Sequence, residues 1–544
     1  MLNTSKPLFF VLVILVLFGI SEFYGCASIQ YPTGGPRDSV PPKILNEKPK
    51  NFTTNFKDKE INIQFDEYFK LENEFKEVSF SPAMEKSPIL KIRKKVLNVQ
   101  FQEPLQDSTT YTINFGKAIV DYNEGNVLKN YMYVISTGKE IDSLSISGTV
   151  LNTLTKKPVL DATVFLLPVN QDSLFGKKRA SLFTSTDSSG NYSLKYLRAN
   201  TYNIYAVFEE GAGDKIYNSA KEEIGFLNNS IKLQKDTSGF NIELFKEQPK
   251  NFRVTDRKIE KDGRLTFIWN KQLEKPGIQI LQPAELNTSK LVEFRPTNDT
   301  AFVWTSNMEF DSISVAIQDK NIRLDTVLLR RGKRETYSRA IAIESNASGG
   351  RLRPGSDLVL TFTAPVKSID PKKISLLQDS LPVTGLRVIR DSTSNRKIVL
   401  KYPWKDEKKY ILNLAHDGFI GVYGGANKAT TINFSKDIEE NYGTLSLAVT
   451  TPDTSSNYLI EILNKDDNVL LTTLIRKSTT LNFATLPVGK YFVRVIYDKN
   501  NNKKWDTGNV VERRQPELVW NHPIEISLRA NFEIEEKVVI PKVP

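Results

Sequence analysis

Asp498, Asn500, Asn502, Lys504 and Asp506 alternate along nine residues near the end of a 544-residue chain. Oxygen donors at every second position, with a main-chain carbonyl at the Lys504 place, can converge on one hard cation, and calcium is the cation that takes such oxygens. Two features oppose a tight site. Lys503 stands where the sharp turn wants glycine, and Asn509 stands where a bidentate glutamate would close the shell, which leaves two carboxylates unless Glu512 swings in. Millimolar affinity is the most such a set supports. The same residues also read as an Asn-rich hairpin, since Asn and Asp tolerate left-handed backbone, with Trp505 packed beneath. The earlier segment EEGAGDKIYNS from Glu209 keeps the glycine-rich shape and loses the donor spacing, which argues for a shared loop geometry more than for a shared metal.

Nucleophilic and acid–base chemistry finds little to work with. The chain has two histidines, His416 and His522, and neither lies in a G-x-S-x-G or H-E-x-x-H context. Asp417 beside His416 fits turn formation in A-H-D-G better than orientation of an imidazole. The carboxylates of Asp66 and Glu67 point to opposite faces at a strand end and do not form an acid/base pair. Five tryptophans raise the question of sugar stacking, yet Trp269 shares parity with Leu265 and Phe267, and Trp304 with Phe302, so both are expected in cores. No catalytic residue is assigned, and the expectation is a protein that is not an enzyme.

Cys26 is the sole cysteine. It follows an uncharged apolar run, Leu8 to Ile20, preceded by Lys6 and followed by Ser21 to Gly25. That run is well short of the roughly 20 residues a helix needs to span a bilayer, and it suits the core of an export signal. Gly25 is the small residue before the cysteine that a lipoprotein signal peptidase requires. The segment resembles a lipobox, with Phe23 and Tyr24 departing from the usual Leu and small residue, and the resemblance implies a diacylated Cys26 at the new N-terminus. An odd thiol in an exported chain of this size has no disulfide to join. Two or three acyl chains hold a protein on a membrane stably. Ala27 to Pro42 is Pro-, Gly- and Ser-rich, the composition of an extended spacer.

The elements that must position these residues are strands. Alternating runs such as Ile61, Ile63, Phe65; Leu97, Val99, Phe101; and Tyr111, Ile113, Phe115 recur between turn-rich stretches, with no amphipathic crossover helix between them. An all-β chain of antiparallel sandwiches follows. About 520 mature residues suffice for three to five domains. An internal repeat sharpens the division: PLQDSTTYTINFGKAIVDYNEGN from Pro104 returns as PWKDEKKYILNLAHDGFIGVYGGAN from Pro403, and IQFDEYF around Phe65 returns around Phe362 and, more weakly, Phe267.

INIQFDEYF, VSFSP, VLNVQF and YMYVISTG, with the loop between them, resemble the bacterial Ig-like domain of surface-layer proteins. SISGTVLNTLTKKPVLDATVFLLP and FTSTDSSGNYSLKYLRANTYNIYAVF look like a transthyretin-like or carboxypeptidase-regulatory-like module, and TTLNFATLPVGKYFVRVIYDKN is a related pattern. The expected organisation is a signal peptide (1–25), a lipidated N-terminus and spacer (26–42), Ig-like domains at 43–139, 248–336 and 340–437, and transthyretin-like domains at 144–246 and 440–544. The assembly is similar to Ig-like-domain lipoproteins of the Bacteroidota. That resemblance implies an outer-membrane protein held through its lipid, with envelope protein partners or a glycan. The uncharged residues Ala27 to Tyr31 favour the periplasmic face. A net charge of +11, interleaved with acids and without basic–aromatic patterning, argues against nucleic acid. The cluster Arg330, Arg331, Lys333 and Arg334 reads as a solvated face.

One further pattern exceeds chance. Asp followed by Ser or Thr and then an aliphatic residue, Met or Thr begins nine times, where average composition gives about two. It resembles the O-glycosylation acceptor of Bacteroidota periplasmic proteins, and the hydroxyls it nominates are Ser39, Ser108, Ser143, Ser173, Thr300, Ser312, Thr326, Ser380 and Ser392. Turn formation before a strand would produce the same pairs.

Overall fold

The computed structural model describes residues 38–542, apart from 83, 85, 212, 333 and 334. Cys26, the apolar run before it and most of the spacer lie outside the described residues, as do Lys333 and Arg334 of the basic cluster. One compact unit ends at Ile141 and a second begins at Asp142.

In the first unit the alternation of the sequence becomes a buried face. Strand Glu60–Phe65 hides Ile61, Ile63 and Phe65 completely and turns Glu60 and Gln64 outward. Each such side chain contributes about 1.5–3 kcal/mol by leaving water. They meet Leu97 and Val99 of the neighbouring strand and Tyr111, Ile113 and Phe115 from the facing sheet. The sheet order is Ile44–Lys48, Glu60–Phe65, Val96–Gln100, Ile89–Arg93, so the third strand in sequence takes the outer place. Thr112 and Asn114, which alternate with Tyr111, Ile113 and Phe115 along the strand, are also buried.

That four-stranded order occurs twice more. Val254–Ile259, Leu265–Trp269, Thr300–Trp304 and Leu291–Phe294 repeat it, as do Ile343–Ser345, Leu358–Phe362, Lys397–Lys401 and Arg387–Arg390. The repeat seen in the sequence has a physical counterpart. The Tyr111 hydroxyl accepts from the Gln106 amide at 2.8 Å, and the Tyr410 hydroxyl accepts from the Lys405 amide at 2.7 Å, so one tyrosine pins the approach to the same strand in both copies. All-β Ig-like sandwiches therefore recur along the chain.

Two further sandwiches share a different topology. Leu144–Asn152 pairs antiparallel with Asn191–Leu197 and parallel with Ile242–Lys246. Tyr442–Thr450 does the same with Thr479–Pro487 and Glu533–Val539. Elsewhere in each module, Thr163–Pro168 lies between Leu182–Ser185 and Asn200–Phe208, just as Asn457–Leu463 lies between Val469–Ile475 and Gly489–Asp498. A second tyrosine device repeats with them: Tyr202 donates to the Arg198 carbonyl and Tyr491 to that of Pro487. Trp269, 3% exposed, sits in a sandwich core, whereas Trp304, 2% exposed, does not: its strand turns Ala301 and Val303 into the core and Phe302 and Trp304 to the opposite face, where the next sandwich covers it.

Candidate functional site

The nine-residue loop begins where the long strand Gly489–Asp498 ends. Its β-branched run, Val493, Val495 and Ile496, fixes the strand against the core, and the Asn-rich stretch after Asp498 ends it with left-handed backbone at Asn501 (φ 60°) and Lys503 (φ 67°). Asp498 has no exposed surface. Its Oδ1 accepts from the Asn502 amide at 3.0 Å and its Oδ2 from the Lys503 amide at 2.9 Å. Asn500 and Asn502 both turn their side-chain amides onto Asp506 Oδ2 at 2.5 Å. Glu517, which the spacing did not nominate, closes the loop from the far side: it accepts from the Lys499 amide at 3.0 Å and the Asp506 amide at 3.1 Å. Burial, reinforced by Asp506 and Asp498, pushes the Glu517 carboxyl up. Glu512 instead sits beside Arg514, 3.5 Å away, and does not reach the loop. Trp505 packs below and donates to the Glu517 carbonyl at 3.0 Å.

In this structure the donor set is turned inward on the loop itself. Both oxygens of Asp498 and Oδ2 of Asp506 accept from the loop's own N–H groups, the Asn502 side-chain oxygen accepts from the Lys504 amide at 3.1 Å, and the described residues contain no cluster of three or more acidic, His or Cys side chains arranged for a metal. The related loop after Phe208 uses the same device without the spacing: Glu209 accepts from the amides of Asp214 at 2.8 Å and Lys215 at 2.9 Å. The expected outcome of thermal melts at several millimolar calcium and in chelator is therefore a single unchanged curve. A site filled to a hundred times its Kd would add about 2.7 kcal/mol, an effect large enough to see.

The loop positions a contact instead. Directly after it, residues 507–515 leave the C-terminal sandwich and dock on the sandwich that begins at Leu144. Thr507 donates to the Lys246 carbonyl at 2.6 Å, and the Val510 amide donates to Glu247 at 2.5 Å. Val510 is 5% exposed among Phe165, Phe183, Tyr205, Tyr217, Phe226 and Phe245. Arg513 lies over the rings of Tyr205 and Phe226 and donates to the Tyr205 hydroxyl at 3.1 Å and the Leu227 carbonyl at 2.7 Å. Gln515 adds the Phe226 carbonyl at 2.8 Å. Burial and the Asp172 bond push the Tyr205 hydroxyl up to about 12, and burial with a bond to Glu247 raises Tyr217 as well. Gly508 is required here, because a Cβ would stand 2.5 Å from the Phe245 ring. Nothing periodic marks this segment in the sequence; its only signals are Gly508 in a polar stretch and two valines followed by Arg513, Arg514 and Gln515.

A second junction joins the sandwiches on either side of Ile341. Arg396 grips Glu293 with two bonds, 2.5 and 3.0 Å, donates to the Phe362 carbonyl at 3.0 Å, and stands 5.7 Å from the rings of Phe302 and Trp304.

His522 is buried beside Glu536, 3.0 Å away, within its own sandwich. His416 is exposed, and Asp417 next to it has left-handed backbone and is held low by Lys373, which bonds to it at 2.5 Å. None of the five tryptophans is exposed. Of the hydroxyl candidates, Ser39, Ser108, Ser143, Ser173, Thr326, Ser380 and Ser392 are exposed and Ser312 is half-buried. Thr300 has no exposed surface and donates to Asp299 at 2.9 Å, so a transferase cannot reach it in the folded chain.

No curated protein matches the chain. Among solved structures, it is similar to the Bacillus anthracis TIE protein (10% identity over 94% of this chain and 75% of that one, TM-score 0.15). It is also similar to BcpA, the major pilin subunit of Bacillus cereus (9%, 73% and 99%, TM-score 0.13). A third is the Bacteroides ovatus mixed-linkage glucan utilization locus protein SGBP-B (11%, 72% and 95%, TM-score 0.18). At such scores the chains do not superpose, and none of these proteins lends its role to this one. The match that carries weight is over residues 38–137, which fit the family described as bacterial Ig-like domain, so that the first sandwich is an Ig-like domain of bacterial type.

Proposed function

We propose that the chain is a non-enzymatic interaction protein of the cell envelope, held at the outer membrane through lipid on Cys26 and presenting jointed sandwiches to a partner. The observation that supports this best is the docking of residues 507–515 on a sandwich more than 250 residues earlier. It stiffens the second unit, and stiff sandwiches hold their loops at fixed positions for binding. In this reading the modules at 144–246 and 440–544 are transthyretin-like, and the chain faces the periplasm.

Co-purification in mild detergent tests the role. A stoichiometric envelope protein supports it; retention on polysaccharide without a protein partner makes the chain a glycan binder; robust hydrolysis of any substrate by the pure protein refutes it. A barrel-forming partner would place it as an accessory of an outer-membrane machine. Metabolic labelling with an alkyne fatty acid tests the anchor. The wild type is expected to carry label and sediment with membranes, and Cys26→Ala to lose both, because two or more acyl chains supply the membrane affinity. Unlabelled wild type overturns the anchor.

A further inference from the structure

We infer that strand Val469–Ile475 is a self-association edge, and that its occupant is the same strand of a second copy, paired antiparallel. The strand has one hydrogen-bonded neighbour, Asn457–Leu463, and its other side ends the sheet. Such an edge offers a row of main-chain donors and acceptors, and proteins usually blunt it with charge, proline or a cover. Here none of those devices is used within the strand. VLLTTLI has no charge and no proline, and Val469, Leu470, Leu471 and Leu474 are 44%, 46%, 38% and 38% exposed.

The sister sandwich shows what a protected edge looks like. Leu182–Ser185 holds the same place, and its Phe183, Thr184 and Ser185 are buried at 3%, 8% and 8%, with the Lys215 ammonium over the Phe183 ring. The two edges descend from one topology, and one of them is left open.

Charge decides the occupant. Asp466 and Asp467 precede the strand, and Arg476 and Lys477 follow it. A two-fold antiparallel pair must set one residue opposite its own copy. Centred on Leu471, it brings Asp466 opposite Arg476; centred on Thr472, it brings Asp467 opposite Lys477 and Leu470 opposite Leu474. The Thr472 register sets acid against base at both ends and Leu470 against Leu474 and Val469 against Ile475 between them, which is the pairing that stabilises sheets, whereas the Leu471 register sets Leu470 against Thr472 and Lys465 against Lys477. A parallel pair would oppose like charges. Because the interface is isologous, it closes at a dimer.

The test uses charge reversal on the full chain in mild detergent, followed by sedimentation. Wild type is expected to be a reversible dimer. Asp466→Lys with Asp467→Lys, and separately Arg476→Asp with Lys477→Asp, are each expected to raise the dissociation constant at least tenfold, and mixing the two variants to recover the dimer as a hybrid. Asp467 also meets Lys157 at 2.6 Å on the surface, an exposed pair whose loss leaves the sandwich folded. Leu470→Lys with Leu474→Lys provides a second break, with unchanged circular dichroism as its control. A wild type that stays monomeric at every concentration overturns the proposal, as do reversal variants that dimerise like wild type or a mixture that does not recover. The proposal gives the interaction reading a partner, and its failure leaves that reading intact, since co-purification does not depend on a second copy.

Discussion

Replacing Asp498 by Ala is expected to remove about 1–3 kcal/mol of local stability from the loop, since the Lys503 amide loses its side-chain acceptor and the Asn502 amide keeps only Asn500. Asp498→Asn should cost less, because one oxygen still accepts. The loss should not stay within residues 498–506. The loop delivers 507–515 to the neighbouring sandwich, so the Val510 amide and the strand carrying Phe226 should exchange faster along with the amides of Asn502 and Lys503. Hydrogen exchange is the right measurement, as a chain of several domains has no single unfolding free energy. The effect is expected to be equal with calcium and with chelator. A variant that exchanges like wild type throughout would show that the carboxylate does not hold the loop, and one that differs only when calcium is present would show that it serves an ion instead.

The other large effect is expected at the Glu293–Arg396 junction. Arg396→Met keeps an aliphatic stem over Phe302 and Trp304 and removes the charge, leaving Glu293 without its bidentate partner. Breaking a fully buried pair costs roughly 3–5 kcal/mol; Glu293 keeps 28% of its side chain exposed and Arg396 15%, so about 2–3 kcal/mol is expected. Glu293→Gln alone should cost less, and the double variant should be milder than the sum, with a coupling above about 1 kcal/mol. Additive losses would mean that the two groups act separately and the junction is held by packing and by the bond from Tyr423 to the Ser289 carbonyl.

Much of the architecture is written locally. Period-two alternation placed Ile61, Ile63 and Phe65 on one buried face because successive strand side chains point to opposite sides, and that rule needs no knowledge of the partner strand. The repeat from Pro104 to Pro403 was legible because one tyrosine bond, made within six residues, demands the same spacing in both copies. Trp269 fell where parity put it, whereas Trp304 is buried on the other face of its strand, against the next sandwich rather than in the core. The parity rule failed for Thr112 and Asn114, which are buried although they alternate with the core face; Asn114 accepts from the Gly116 amide at 2.9 Å.

What only the tertiary structure decided is where distant segments meet. The spacing of Asp498 to Asp506 is the same whether its oxygens face a cation or their own backbone; the left-handed turns at Asn501 and Lys503 and the arrival of Glu517 commit them to the backbone. Thr300 and Ser39 carry one motif, and burial separates them. The docking of 507–515 leaves no period in the sequence, because an irregular segment held by Gly508, Val510 and Arg513 takes its order from a surface built by residues 165–247. Strand position follows from neighbours along the chain, whereas the use of a loop is set by whatever the fold carries to it.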